Sequence, residues 1–231
     1  MNEENHLNSQ LSKLTASMCL GEFVSLKQPG FNWEFEIPTW ERIYELLLDL
    51  SSKIRGAGFK PDIILGIARG GLLPTRILSD LLENPEIAHV KVELYVGVAE
   101  TKEEPVLTQP VSMSVKNKKV LVVDDVADTG KSLALVQEHL KEQGATDVKA
   151  ATIYYKPWSI VTPDWFELQT NQWIVFPWER KETVRRILEK CKKEDMPVEK
   201  AKEALIRDGL DCRLVERFME EIARESREHL V

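Results

Sequence analysis

Apolar positions along the chain switch between two periods in a regular order. Trp33, Phe35 and Ile37 alternate with polar neighbours, which predicts an edge strand. Ile43, Leu46, Leu47 and Leu50 then recur at helical spacing, so a helix is expected from Trp40 to about Gly56, opened by Pro38-Thr39 with Thr39 as its cap. A short apolar run at 61–68 reads as a buried strand and is followed by an Arg69-Gly70-Gly71 turn and a helix over 72–82. Strands are expected at 90–98, 120–123 and 148–155, with a helix from Leu133 to about Gln143 between the last two. The apolar run from Trp173 to Glu179 is expected to close the core. Strands alternating with helices predict an α/β fold: a mostly parallel twisted sheet with helices on both faces and ligands at the carboxyl ends of the strands.

Three further helices are readable beyond residue 180. Glu182 to Lys193 sets Val184, Ile187, Leu188 and Cys191 on one face, and Pro197 opens a second helix ending near Gly209. Leu214, Val215, Phe218, Met219 and Ile222 form the stripe of a third. The division expected is an N-terminal extension at 1–30, a catalytic-type domain at 31–180 and a helical C-terminal extension at 181–231. The last is expected to pack on the core or make an oligomer contact.

Composition narrows the class. A net charge of -7 argues against a general nucleic-acid binder, since neutralising phosphates needs a basic surface. Cys19, Cys191 and Cys212 are odd in number and widely spaced, so neither a zinc site nor a disulfide framework follows. The acidic, polar start at Met1-Asn2-Glu3-Glu4-Asn5 is unlike a secretory signal, and no apolar run suggests a membrane span. A cytoplasmic location is expected.

The chemistry concentrates at 120–132. Val120 to Val123 form the strand, and Asp124 and Asp125 stand where it ends. Ala127-Asp128-Thr129-Gly130-Lys131-Ser132 then leads into the next helix. Backbone N–H groups in such a turn, the helix dipole and two hydroxyls make an anion site. Carboxylates beside that cradle suit a sugar diol or Mg²⁺. A Walker A loop would need Gly at 125, where this chain has Asp. In the turn at 69–71, Gly70 and Gly71 let the backbone approach a ligand and Arg69 brings a permanent charge.

The stretch 120–132 resembles the 5-phosphoribosyl-1-pyrophosphate (PRPP) signature of the type I phosphoribosyltransferases, and the similarity extends over roughly 33–180. The resemblance implies that Asp124 and Asp125 meet the ribose hydroxyls and help bind Mg²⁺, and that the turn from Ala127 to Ser132 wraps the 5-phosphate. It further implies that Arg69, Gly70 and Gly71 hold pyrophosphate, with a strained or cis peptide near Ala68-Arg69. The polar segment 99–114, by itself a solvated hairpin, corresponds to the family's mobile lid. A homodimer is also implied.

Lys156-Pro157 after a strand, and Trp173-Ile174 before Pro177-Trp178-Glu179, resemble the base pocket of the 6-oxopurine (xanthine–guanine and hypoxanthine) enzymes of bacteria and archaea. Lys156 would donate to the exocyclic oxygen, Trp173 would stack on the base and the Ile174 carbonyl would accept from an amine. Asp128 would lie near purine N7. The reaction implied joins N9 of hypoxanthine, guanine or xanthine to the ribosyl group of PRPP, giving a nucleoside 5′-monophosphate and pyrophosphate. Val175, Phe176 and Glu179 depart from the pattern and leave the choice of base open. The alternatives are a PRPP-binding regulator without turnover and a transferase for another base.

Overall fold

The computed structural model describes residues 34–83, 85–96 and 103–228. The expected N-terminal extension, Trp33 and the tip of the expected lid at 97–102 lie outside the described residues. Contacts divide the chain into two units, one of residues 38–171 and one in which 34–37 join 172–228.

In the larger unit the order is α1 (Trp40–Gly56), β2 (Ile63–Ala68), α2 (Leu72–Leu81), β3 (Glu86–Val96), β4 (Glu103–Gln109), β5 (Lys119–Ala127), α3 (Lys131–Glu142), β6 (Asp147–Tyr155) and β7 (Trp165–Gln169), where β2 follows a short β1 described below. The sheet runs β4-β3-β2-β5-β6-β7. All neighbours are parallel except β3 and β4, an antiparallel hairpin with Val96 opposite Glu103. The segment expected as hairpin or lid therefore begins as a hairpin.

Alternation along the central strands sets the two faces. Ile63, Leu65 and Ile67 of β2 and Val120 and Val122 of β5 join Leu133, Val136 and Leu140 of α3 in one buried cluster. The intervening positions point the other way, and there Gly66 meets Thr75 of α2 so closely that an added Cβ would lie 2.7 Å from its Oγ1. Helix α1 buries Ile43, Leu46, Leu47, Leu50 and Ile54, and the Thr39 side chain caps it by accepting the Arg42 N–H at 3.1 Å. Strand β7 escapes the sequence reading because Pro163 and Asp164 precede it and Trp165-Phe166 break strict alternation. It is fixed from outside itself, as Asp164 accepts the Ala150 N–H at 2.8 Å and Lys53 donates to the Phe166 carbonyl at 3.1 Å.

The smaller unit corrects one expectation. Strand β8 (Trp173–Ile174) does not join the six-stranded sheet; it pairs in parallel with β1 (Phe35–Glu36) in a separate two-stranded sheet. The run from Trp173 falls in one unit with α4 (Arg180–Lys193), α5 (Val198–Arg207) and α6 (Cys212–Glu228). Phe35, Val175, Val184, Ile187, Leu205, Val215 and Ile222 share this second core. Asp208, just after α5, accepts the Phe35 N–H at 2.8 Å, tying β1 to the helices. Arg207 beside it, and then that N–H, hold the Asp208 carboxyl below the ordinary range. Helices α4 and α6 are joined by Lys181 to Glu221 (2.7 Å) and Glu225 (2.8 Å), and by Arg185 to Glu225 (2.5 Å). No helix among the described residues is long and apolar enough to cross a membrane.

Two outcomes are expected. Ile64 is fully buried on a central strand, so Ile64→Ala should cost about 2–5 kcal/mol in urea unfolding followed by circular dichroism. Glu225 is held at about 2, against an ordinary 4.5, by hydrogen bonds from Lys181 and then Arg185. A depressed carboxylate contributes stability above its unfolded value, and that contribution disappears as pH falls through the folded one. The difference in thermal midpoint between the wild type and Glu225→Gln should shrink as pH falls from 4.5 to about 2.

Candidate active site

Strand order reverses direction between β2 and β5, since β3 lies outside β2 and β6 lies outside β5. In open parallel sheets a crevice forms beyond the carboxyl ends at such a switch point. Two turns meet there. The Ala68–Arg69 peptide bond is cis, as the resemblance implies. Gly71, next in the turn, donates its N–H to the Ile67 carbonyl at 2.9 Å, folding the turn back over the end of β2.

Glycine is required at both positions of this turn. A Cβ on Gly70 would overlap the Asp125 carboxylate, and one on Gly71 would overlap the Val123 carbonyl oxygen. The carboxylate of β5 therefore lies directly over the bare backbone of the Arg69–Gly71 turn. Asp125 is buried, whereas Asp124 is half-buried and accepts the Asp125 N–H on its own Oδ1 at 3.0 Å. As successive strand residues the two carboxylates point to opposite faces. They offer one carboxylate to each side rather than a chelating pair.

After β5 the turn reaches α3 through Gly130, which has a left-handed φ of 76° and gives the helix no side-chain cap. The first-turn N–H groups of α3 thus begin at a glycine, next to the Thr129 and Ser132 hydroxyls, in the manner of an anion site. Thr129 Oγ1 accepts the Lys131 N–H at 3.4 Å, and Lys131 Nζ is 3.0 Å from Glu104 Oε1 of β4. The Lys131 ammonium is therefore directed to the hairpin, and its contribution to the turn is its backbone.

The loop after β6 is laced to this turn as a continuation of the β5–β6 ladder. Lys156 N–H donates to the Ala127 carbonyl and Ile160 N–H to the Thr129 carbonyl, both at 3.0 Å. Gly130 faces Ser159 and Val161, and a Cβ there would lie 2.5 Å from Ser159 Oγ. This lacing brings Lys156 and Asp128 to one place. Both contact Trp158, whose Nε1–H donates to Asp128 Oδ1 at 2.9 Å and whose ring centroid is 5.4 Å from Lys156 Nζ. Sequence reasoning missed Trp158; the available signal was a tryptophan just past a strand-ending lysine-proline.

The larger unit therefore gathers Arg69, Gly70, Gly71, Asp124, Asp125, Ala127, Asp128, Thr129, Gly130, Lys131, Ser132 and Lys156 at the ends of β2, β5 and β6. Trp173 and Ile174 belong to the smaller unit, where the Trp173 N–H donates to the Glu34 carbonyl at 3.3 Å and its ring lies 6.4 Å from that of Phe35.

Comparison with known proteins places the chain in a family. Residues 36–183 match the family described as the phosphoribosyl transferase domain. The chain is 32% identical over 143 residues to a xanthine-guanine phosphoribosyltransferase of Nitratidesulfovibrio vulgaris, covering 61% of this chain and 82% of that protein. It is 30% identical over 150 residues to the enzyme of the same name from Idiomarina loihiensis, covering 64% and 88%. Among solved structures, a purine phosphoribosyltransferase from Pyrococcus horikoshii is 40% identical with a TM-score of 0.58, covering 63% of this chain and 93% of that one.

Gly70→Ala should displace the Asp125 carboxylate and weaken PRPP binding about tenfold or more, a loss of about 1.4 kcal/mol, read by calorimetry. Gly56→Ala, at a position with open space around it, should bind PRPP as the wild type does.

Proposed function

The chain belongs to the phosphoribosyltransferase family, and on that premise we propose that it transfers the 5-phosphoribosyl group of PRPP to N9 of a 6-oxopurine, releasing pyrophosphate. The observation that carries this reading is the lacing of the β6 loop to the β5 turn, which brings Lys156 and Asp128 together beside the turn leading into α3. The names borne by the similar proteins from Nitratidesulfovibrio, Idiomarina and Pyrococcus support the same base class.

Each group has a task in this scheme. The N–H groups and hydroxyls of Thr129 to Ser132 take the 5-phosphate. One of the two acidic residues meets the ribose hydroxyls, and Arg69 with the Gly70 amide neutralises and orients the pyrophosphate, the Gly71 N–H being engaged by the Ile67 carbonyl. Lys156 donates to the exocyclic oxygen of the base, drawing electron density toward it. Asp128 lies at the imidazole side of the base as proton acceptor or orienting group. Bond breaking at the ribose C1 is helped mainly by position and by fixed charge around the departing anion.

The acidic residues also fit Mg²⁺. Among the described residues no group of three or more His, Cys, Asp or Glu could hold a metal alone. Mg²⁺, however, commonly takes one or two carboxylates and completes its shell with water and substrate phosphate oxygens. Asp125 over the Gly70 turn, or Asp124 on the opposite face, supplies that single carboxylate. The ion would add charge neutralisation on the leaving pyrophosphate. The proposal extends to a homodimer, as the resemblance implies, and to the cytoplasmic location expected from composition. A PRPP sensor would need only the phosphate and ribose contacts, so the juxtaposed Asp128 and Lys156 favour turnover.

Pyrophosphate release from PRPP and Mg²⁺ should occur with hypoxanthine, guanine or xanthine and not with adenine alone. Asp128→Asn should lower kcat by roughly 10²-fold, within the range of a lost general acid–base group, while PRPP still binds. Turnover of adenine alone, or of no base, would overturn the reading.

A further inference from the structure

Trp158 is more than half exposed, at 54%, yet its indole is engaged on two sides. Its N–H donates to Asp128 Oδ1 at 2.9 Å, and its π-face lies 5.4 Å from the ammonium of Lys156, a residue only 5% exposed. Burial does not hold such a ring. The backbone on both sides of it is fixed, by Lys156 N–H on the Ala127 carbonyl, Ser159 N–H on the Lys156 carbonyl and Ile160 N–H on the Thr129 carbonyl, each at 3.0 Å. The rotamer chosen from that fixed backbone satisfies one donor and one cation at once.

We propose that Trp158 is a positioning residue for the base: by holding one Asp128 carboxylate oxygen and the Lys156 ammonium on the same ring, it fixes the spacing of the two groups that read a 6-oxopurine. The inference rests on the base assignment made above. The indole N–H occupies Oδ1 and leaves Oδ2 to the base. The carboxylate is thereby set in one orientation rather than free to rotate. On the other side the ring face attracts the ammonium without taking a hydrogen bond from it, so the N–H donors of Lys156 are not spent on Trp158. A residue that ties the two readers together acts on the chemical step and on base affinity, and leaves the phosphate turn alone.

Substitutions separate the two contacts. Trp158→Phe keeps a ring over Lys156 and removes the donor to Asp128; it should lower kcat roughly tenfold with the KM for PRPP unchanged, as expected when a general acid–base group is misplaced. Trp158→Ala removes both contacts and should also raise the KM for the base. If Trp158 acts through Asp128, Trp158→Phe should cause no further loss in an Asp128→Ala background, because groups in one network are not additive. A spectroscopic readout stands apart from turnover. In ¹⁵N-tryptophan-labelled protein, the indole N–H resonance that Trp158→Phe deletes should move upfield in Asp128→Ala. Wild-type kcat in Trp158→Phe, full additivity with Asp128→Ala, or an unmoved indole resonance would each overturn the inference. A wild type silent with every 6-oxopurine would overturn the assignment of the reaction instead, and the resonance would still report whether Asp128 holds the indole.

Discussion

The absence of a side chain at Gly70 is the constraint from which the site follows. With hydrogen alone on that Cα, the Asp125 carboxylate settles over the turn that ends β2, at the point where strand order reverses. A methyl group would have to displace a buried carboxylate, and moving that carboxylate would move the end of β5. Gly71 imposes the same demand one residue later, against the backbone of both central strands. The Arg69–Gly71 turn at the end of β2 is therefore fitted to the end of β5 before any ligand arrives. Such fitting reduces the ordering cost of binding a flexible, highly charged substrate.

A second linkage runs from the turn before α3 to the loop after β6. Parallel pairing of β5 with β6 continues past the sheet as hydrogen bonds between their following loops, so the position of Lys156 is set by the carbonyl of Ala127. On the other flank, Lys131 reaches Glu104 of the hairpin. Exposed pairs of this kind contribute little to stability. The pair nevertheless connects the hairpin to the start of α3.

Much of this was legible in the sequence because it is local. Apolar strand, acidic pair, small-residue turn and helix form a continuous string from Val120 to Leu140, and each member is read from its neighbours. The same holds for the Arg69-Gly70-Gly71 turn and for the three C-terminal helices, whose apolar stripes match the observed core. What was not legible depends on partners far away in the chain. The apolar run from Trp173 reads as core, but nothing within it tells that Trp173-Ile174 pairs with Phe35-Glu36 instead of the main sheet. Strand β7 is held by Lys53 and by pairing with β6, and its own pattern is weak. The role of Trp158 needed the fold, because Asp128 lies thirty residues before it and the contact depends on how two loops lie together.

The central claim is that the carboxyl ends of β2, β5 and β6 form a PRPP site, and a crystal structure of the protein with PRPP and Mg²⁺ tests it most directly. The account predicts the 5-phosphate on the backbone of Thr129 to Ser132 and the pyrophosphate over Gly70-Gly71, with Asp125 retained beside that turn. PRPP bound elsewhere, or a 5-phosphate away from the start of α3, would contradict it.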